Sequence, residues 1–285
     1  RRMRNPGWLP CLAIALALAA CGSQEQQPAT AAGAAVEEGG PRAEPSPPQP
    51  DISVPPARTL EDVMERDPRY LVGISFPDGA DQYPGLARAL DAYARAARDD
   101  LDEAVASLGE GRPRAPYDLA LDFSMLVETP SVVAVRAEGS SYTGGAHGNP
   151  LVARFVWLPQ RGKMLEAADL IEDEEGWRAL SGYVREQLHA QLFERVDAWD
   201  LEPGEREQLV RSGGKMIEEG SAPDPANFAH FEPQLGPGGR ITALRFVFPP
   251  YQVGPYSDGT NYVTVPGEVL LPHLAPEYRD LFAAG

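Results

Sequence analysis

The chain has 285 residues, of which 43% are hydrophobic and 24% charged, with a formal charge of −17 and two cysteines. An acidic surplus on this scale repels nucleic acid and anionic lipid head groups and attracts cationic partners, while serving solubility equally well. Two cysteines exclude a disulfide framework or a thiolate metal cluster, so any folded part rests on an ordinary hydrophobic core.

Arg1, Arg2 and Arg4 form a positive leader, Trp8 to Leu18 an apolar stretch, and Leu18-Ala19-Ala20-Cys21 a small-residue processing site. The apolar run from Gly7 to Ala20 is 14 residues. That is short of the ~20 a helix needs to cross a bilayer, so residues 1–20 are read as an export signal. The last four residues resemble the bacterial lipobox, which implies acylation of Cys21 and, with Gly22 where inner-membrane retention uses Asp, an outer-membrane lipoprotein facing the periplasm. Ordinary cleavage after Ala20 is the alternative. Cys11 is lost with the signal and Cys21 stays as the lone cysteine. Removal of three arginines from the 25 basic residues, against 42 acidic ones, takes the charge to −20.

From position 21 to 58 the residues are mostly Ala, Gln, Glu, Gly and Pro, with PSPPQP at 45–50. Such a composition buries too little to fold and is expected to be a disordered tether, reaching ~35 Å as a coil and ~115 Å if fully extended.

The globular part opens with an expected strand from Tyr70 to Phe76, stopped by Pro77. Leu86, Leu90, Tyr93, Ala97, Leu101, Val105 and Leu108 then recur at steps of three and four, which predicts a core-facing amphipathic helix. The period changes to two at Leu119, Leu121, Phe123, Met125 and Val127, and resumes at Val133, Val135 and Ala137 after a turn at Thr129-Pro130-Ser131. Leu151 to Leu158 reads as a third strand, and short links predict antiparallel pairing. Helices are expected at about 174–196 and 203–219, the second beginning at Pro203 with carboxylates in its first turn. Strands at 241–248 and 262–265 and a helical piece from Gly267 complete the pattern. Grouped helices and strands give an α+β class, an antiparallel sheet with packed helices.

No catalytic constellation emerges. His147, His189, His230 and His273 share no flanking pattern, no two lie one helical turn apart, and H-E-x-x-H is absent. Gly139-Ser140-Ser141-Tyr142-Thr143 begins like a nucleophile elbow and fails at Thr143, and Gly213-Gly214-Lys215-Met216 fails as a phosphate loop at Met216. No catalytic residue, metal ligand or cofactor is assigned.

Two loops remain. In Ser140 to Pro150, the residues Gly144, Gly145, Gly148 and Asn149 permit positive φ, so a sharp fold-back would present Tyr142, Thr143 and His147 at its rim. In Tyr251-Gln252-Val253-Gly254-Pro255-Tyr256-Ser257-Asp258-Gly259, two tyrosines and a proline are held by two glycines, and tyrosine supplies stiff contact area with a hydroxyl. The alternative for either loop is a structural turn whose tyrosines cap the core.

These loops, Ser141 to Asn149 and Pro250 to Gly259, with Phe228, Phe231 and Val263-Thr264-Val265-Pro266, resemble the DUF3298 (RsiV-type) family. The stretch from Tyr70 to about Leu108 is similar to the PdaC-like (DUF4163) segment that commonly precedes it. The resemblance implies a boundary between 59–112 and 113–285, a two-lobe arrangement, and a cell-envelope binding module without catalytic residues. One family member is the outer part of an anti-sigma factor that binds lysozyme, and another precedes a peptidoglycan deacetylase domain. The expected ligand-binding residues are therefore Tyr142, Thr143, Gly144, Gly145, His147, Gly148, Asn149, Tyr251, Gly254, Pro255, Tyr256 and Gly259. The expected ligand is a lysozyme-like protein or a peptidoglycan fragment, with no nucleic acid. A rival expectation is a glycan-modifying hydrolase or deacetylase using His147 and nearby carboxylates.

Overall fold

A mixed six-stranded sheet carries most of the first half of the folded chain. In the computed structural model, which describes residues 59–284, its order is β1-β2-β3-β4-β5-β6. The strands are β1 (Val63–Asp67), β2 (Tyr70–Ser75), β3 (Tyr117–Glu128), β4 (Val133–Tyr142), β5 (Asn149–Leu158) and β6 (Lys163–Met164). The expected signal and tether, with Cys21, lie outside the described residues.

Between β2 and β3 runs α1 (Pro84–Ser107), with Pro84 in its first turn, where the missing N–H costs nothing. Its buried Leu86, Leu90, Ala94, Ala97, Leu101 and Val105 lie at helical spacing and cover one face of the sheet beside Leu119, Leu121 and Phe123 of β3. This crossover makes β2 and β3 parallel, with Tyr70 opposite Tyr117 and Ser75 opposite Asp122. Every other neighbouring pair in the sheet is antiparallel, as expected. Parallel neighbours require such a long connection, so the helix and the strand direction are one fact.

The β4–β5 end of the sheet is covered on both faces. Val133, Val135, Ala137, Ala153 and Trp157 face the α1 side, whereas Val132, Ala134, Val156 and Leu158 enter a second core. That core is shared with α2 (Ala167–Leu170), α3 (Glu174–Asp197), α4 (Pro203–Gly220) and a three-stranded antiparallel sheet. The sheet comprises β7 (Phe231–Leu235), β8 (Ile241–Phe248) and β9 (Asn261–Pro266). α5 (Gly267–Leu270) follows, and Phe282 of the C-terminal turn is fully buried.

α3 is anchored at its start by Asp173, whose carboxylate accepts from the Gly176 amide at 2.6 Å, satisfying one of the free N–H groups of the first turn. Its Trp177, Leu180, Val184, Leu188, Leu192 and Val196 are buried at helical spacing. The fold is α+β, with two sheets and their helices in one compact unit. Residues 59–112 contribute β1, β2 and α1 to the same sheet as β3.

Candidate functional site

The loop between β4 and β5 turns where Gly144 and Gly145 take φ of 101° and 102°, a region costly for any residue with a Cβ. Gly148 keeps a negative φ and Asn149 already belongs to β5, so the reversal uses two of the four residues expected to allow it. The Tyr142 hydroxyl donates to the Gly145 carbonyl at 3.2 Å, which ties the turn across its base. Tyr142 and Thr143 are half-buried, and His147 at the tip is exposed.

The second loop leaves β8 at Pro249 and returns into β9. Tyr251 takes φ 75°, the one non-glycine positive φ among the described residues and a conformation that stores about 1–3 kcal/mol of strain. The surrounding loop holds it there. The Tyr251 amide donates to the Gly254 carbonyl at 3.0 Å and the Gln252 amide to Pro249 at 3.1 Å. The Gln252 side chain donates to the carbonyls of Gly220 at 2.9 Å and Asn227 at 2.8 Å. A Cβ on Gly220 would lie 1.9 Å from the Gln252 carbonyl oxygen, so only glycine at the end of α4 admits this approach. Tyr256 to Asp258 form a 3₁₀ turn, and Arg195 of α3 pairs with Asp258 at 3.2 Å.

The two loops meet. The rings of His147 and Tyr256 stack with centroids 4.3 Å apart and planes 17° from parallel. Tyr251 and His147, 104 positions apart in the chain, join through a hydrogen bond of 3.1 Å between the phenol oxygen and Nε2. His147 Nδ1 lies 3.1 Å from the Gly148 carbonyl. An imidazole protonated at Nδ1 and bare at Nε2 satisfies both contacts, donating to Gly148 and accepting from Tyr251. Tyr251 and Tyr256 are themselves 5.6 Å apart. The three rings form one aromatic patch, with Tyr251 at 52% and Tyr256 at 39% exposure.

Pro255 is exposed and Gly259 half-buried, but Gly254 is buried and faces the interior of the loop. Beside the loop lies a groove of about 370 Å³ between α3, α4 and the tyrosine-rich segment, lined among others by Trp199, Leu209, Met216 and Pro255. Trp199 is 52% exposed at the end of α3. The sequence reading missed Gln252, Gly220 and Trp199. Only the hydrogen bonds across the fold, the close backbone approach and the helix packing make them part of the site.

Among the described residues, no group of three or more His, Cys, Asp or Glu side chains could hold a metal ion, and no helix is long and apolar enough to cross a membrane. His147 has no ion pair with a carboxylate there; its ring contacts are Gly148, Tyr251 and Tyr256.

Among solved structures, the fold is similar to a DUF3298-family protein from Bacteroides fragilis at 17% identity, over 76% of this chain and 94% of that one, with a TM-score of 0.47. It is also similar to a DUF3298-family protein from Pseudomonas aeruginosa PAO1 at 16% identity, over 79% of this chain and 96% of that one, with a TM-score of 0.48. No protein-family model and no curated protein matches the chain.

Proposed function

We propose that this chain is a DUF3298 (RsiV-type) binding module of the bacterial cell envelope, with a PdaC-like segment in residues 59–112. It is held at the outer membrane through a lipid on Cys21 and recognises a lysozyme-like protein or a peptidoglycan fragment through the two loops. The observation that carries this reading is the exposed aromatic patch of His147, Tyr251 and Tyr256, built by loops from two different sheets. Rings already held in place by the fold have little conformational freedom left to lose on binding, which is what interface anchors require. The adjoining groove would admit an apolar side chain of the partner. The net charge of −20 left after loss of residues 1–20, 22 basic residues against 42 acidic ones, suits a basic protein approaching by long-range attraction.

Recognition is favoured over the rival hydrolase or deacetylase because no carboxylate pairs with His147 among the described residues, and its Nε2, the nitrogen that would take a proton from substrate, is occupied by the Tyr251 hydroxyl. Here both ring nitrogens of His147 contact loop groups, one of them a tyrosine hydroxyl.

The test uses the full chain, a C-type lysozyme and purified muropeptides. Binding to either that weakens at least tenfold in Tyr256→Ala supports the proposal. No measurable binding to both by the unaltered chain overturns it. Muropeptide turnover that vanishes in His147→Ala instead establishes the enzyme. Loss of palmitate labelling in Cys21→Ala is the expected result for the anchor, and unchanged labelling refutes it.

A further inference from the structure

A second concave site lies away from the loops, where α1, β5, α2 and the turn leading into β7 adjoin. We propose that this cleft, about 650 Å³ in volume, binds a small organic cation, a protonated amine carried on an apolar body. Its volume falls within the ~300–1,000 Å³ usual for small-molecule pockets.

The lining is largely apolar and partly aromatic. Tyr93 comes from α1, Phe155 from β5, Met164 from β6 and Pro225 from the turn before β7. The Tyr93 and Phe155 rings stand edge-on, with 5.8 Å between centroids and 77° between planes, and both are half-buried, so they are fixed yet reachable. A preformed wall of this kind receives an apolar body without first ordering the protein, and an aromatic ring attracts a cation to its π face.

Three charged residues line the cleft, Arg154, Glu166 and Asp224. Arg154 is already neutralised. Its guanidinium meets Glu232 and Glu138, each at 2.6 Å, and Arg245 takes the second Glu232 oxygen, so this buried group holds two positive and two negative charges. Glu166 and Asp224 are the surplus. Both are exposed, and neither has a salt bridge among the described residues. Each carboxylate is held instead by a backbone amide: Glu166 accepts from Asp169 at the start of α2, and Asp224 accepts from Ala226 at 2.9 Å. The second contact sets the Asp224 carboxylate against a residue of the lining itself.

This balance selects the sign of the ligand. A concave wall with a negative excess concentrates cations and repels anions, and a carboxylate gives a protonated amine a charge-assisted hydrogen bond. The ammonium group pairs with the two carboxylates where they meet solvent, and the apolar body lies against Tyr93 and Phe155. A bare metal ion is not provided for, since no three His, Cys, Asp or Glu side chains among the described residues group to hold one.

Phenethylamine, cationic at neutral pH, is a suitable probe; phenethyl alcohol keeps the ring and the two-carbon arm and lacks the charge. Titration of the isotopically labelled full chain with the amine should give saturable NMR shifts at Tyr93, Phe155 and Met164. The alcohol should bind about three- to tenfold more weakly, the range that exposed ion pairing and attraction to a ring support together. Raising the salt from about 0.05 M to about 0.5 M should narrow that gap. Glu166→Gln combined with Asp224→Asn keeps an oxygen to accept each amide, so the caps persist while both charges go. This variant should lose most of the preference for the amine and leave the affinity of the alcohol unchanged. Non-saturable amine shifts, equal binding of amine and alcohol, a gap indifferent to salt, or a preference that survives in the double variant would each overturn the proposal.

Discussion

The two sheets are tied together at two places of opposite character. At one, Arg154 of β5 meets Glu232 of β7 at 2.6 Å, with side-chain exposures of 2% and 6%, and Arg245 of β8 takes the other carboxylate oxygen. At the other, His147 stacks on Tyr256 in contact with solvent. Both join residues far apart in the chain, separated by 78 positions in the first case and 104 in the second. The buried contact is a mutual obligation: a charge stripped of its partner there has no water to replace it. The exposed contact carries no such penalty, so its residues are free to answer to a partner molecule. On the proposed reading, fold and recognition fall to different joints between the same two sheets.

The largest effect should come from breaking the buried joint. Arg154→Ala leaves Glu232 in the interior with Arg245 alone and is expected to destabilise by about 3 kcal/mol in denaturant melts, the low end for a broken buried pair because one cationic partner remains. If its cost is no more than that of an ordinary surface change, the contrast between the joints disappears.

Gly220→Ala comes next. Its Cβ would overlap the Gln252 carbonyl, and forced overpacking of this kind costs about 1–3 kcal/mol. Because Gln252 anchors the tyrosine-rich loop, the same variant should also weaken lysozyme or muropeptide binding. Destabilisation with unchanged binding would separate the loop from the site.

Tyr251→Gly sharpens the comparison by moving the two properties in opposite directions. Removing the strained φ should raise stability by about 1 kcal/mol, while binding falls with loss of the ring. Parallel melts and binding isotherms decide it; a drop in both would make Tyr251 a structural residue.

Tyr256→Ala should leave stability within about 0.5 kcal/mol of the parent, as for surface positions generally, despite the predicted loss of affinity. A clear fall in the melting temperature would mean that the patch holds the fold together.

A further check is acidity. Burial, assisted by Arg154, depresses the His230 pKa in the folded state, so below the unfolded value of ~6.5 the unfolded chain binds more protons. Stability should be at its plateau above that value and fall as pH drops from there toward the folded pKa. His230→Gln should flatten this part of the profile, and an unchanged slope would place its origin elsewhere.

Much of the local structure was legible in the residues. The spacing of Leu86, Leu90, Ala97, Leu101 and Val105 marks α1, and the alternation of Leu119, Leu121 and Phe123 marks β3. Three edge strands were not legible, the shortest of them the two-residue β6. β1, VMERD, alternates charge with only modest apolar content, and β7, FEPQL, contains Pro233, which is tolerated at an edge because one side of the strand has no neighbour to bond. The parallel pairing of β2 with β3 also escaped a reading based on short links, since it depends on α1 crossing the sheet. In the loops, composition pointed to Gly144, Gly145, His147, Tyr251 and Tyr256. It could not distinguish the exposed Pro255 from the buried Gly254 beside it.

The amino-acid order by itself determined the periodic elements, the α+β class and the two glycine-bearing loops, because helix period, strand alternation and turn chemistry are properties of near neighbours. That the loops converge, that Gln252 finds Gly220, and that Arg154 is buried against Glu232 were decided only by tertiary packing. Those contacts link residues many positions apart, and their energies arise from burial and close approach that no local stretch of chain contains.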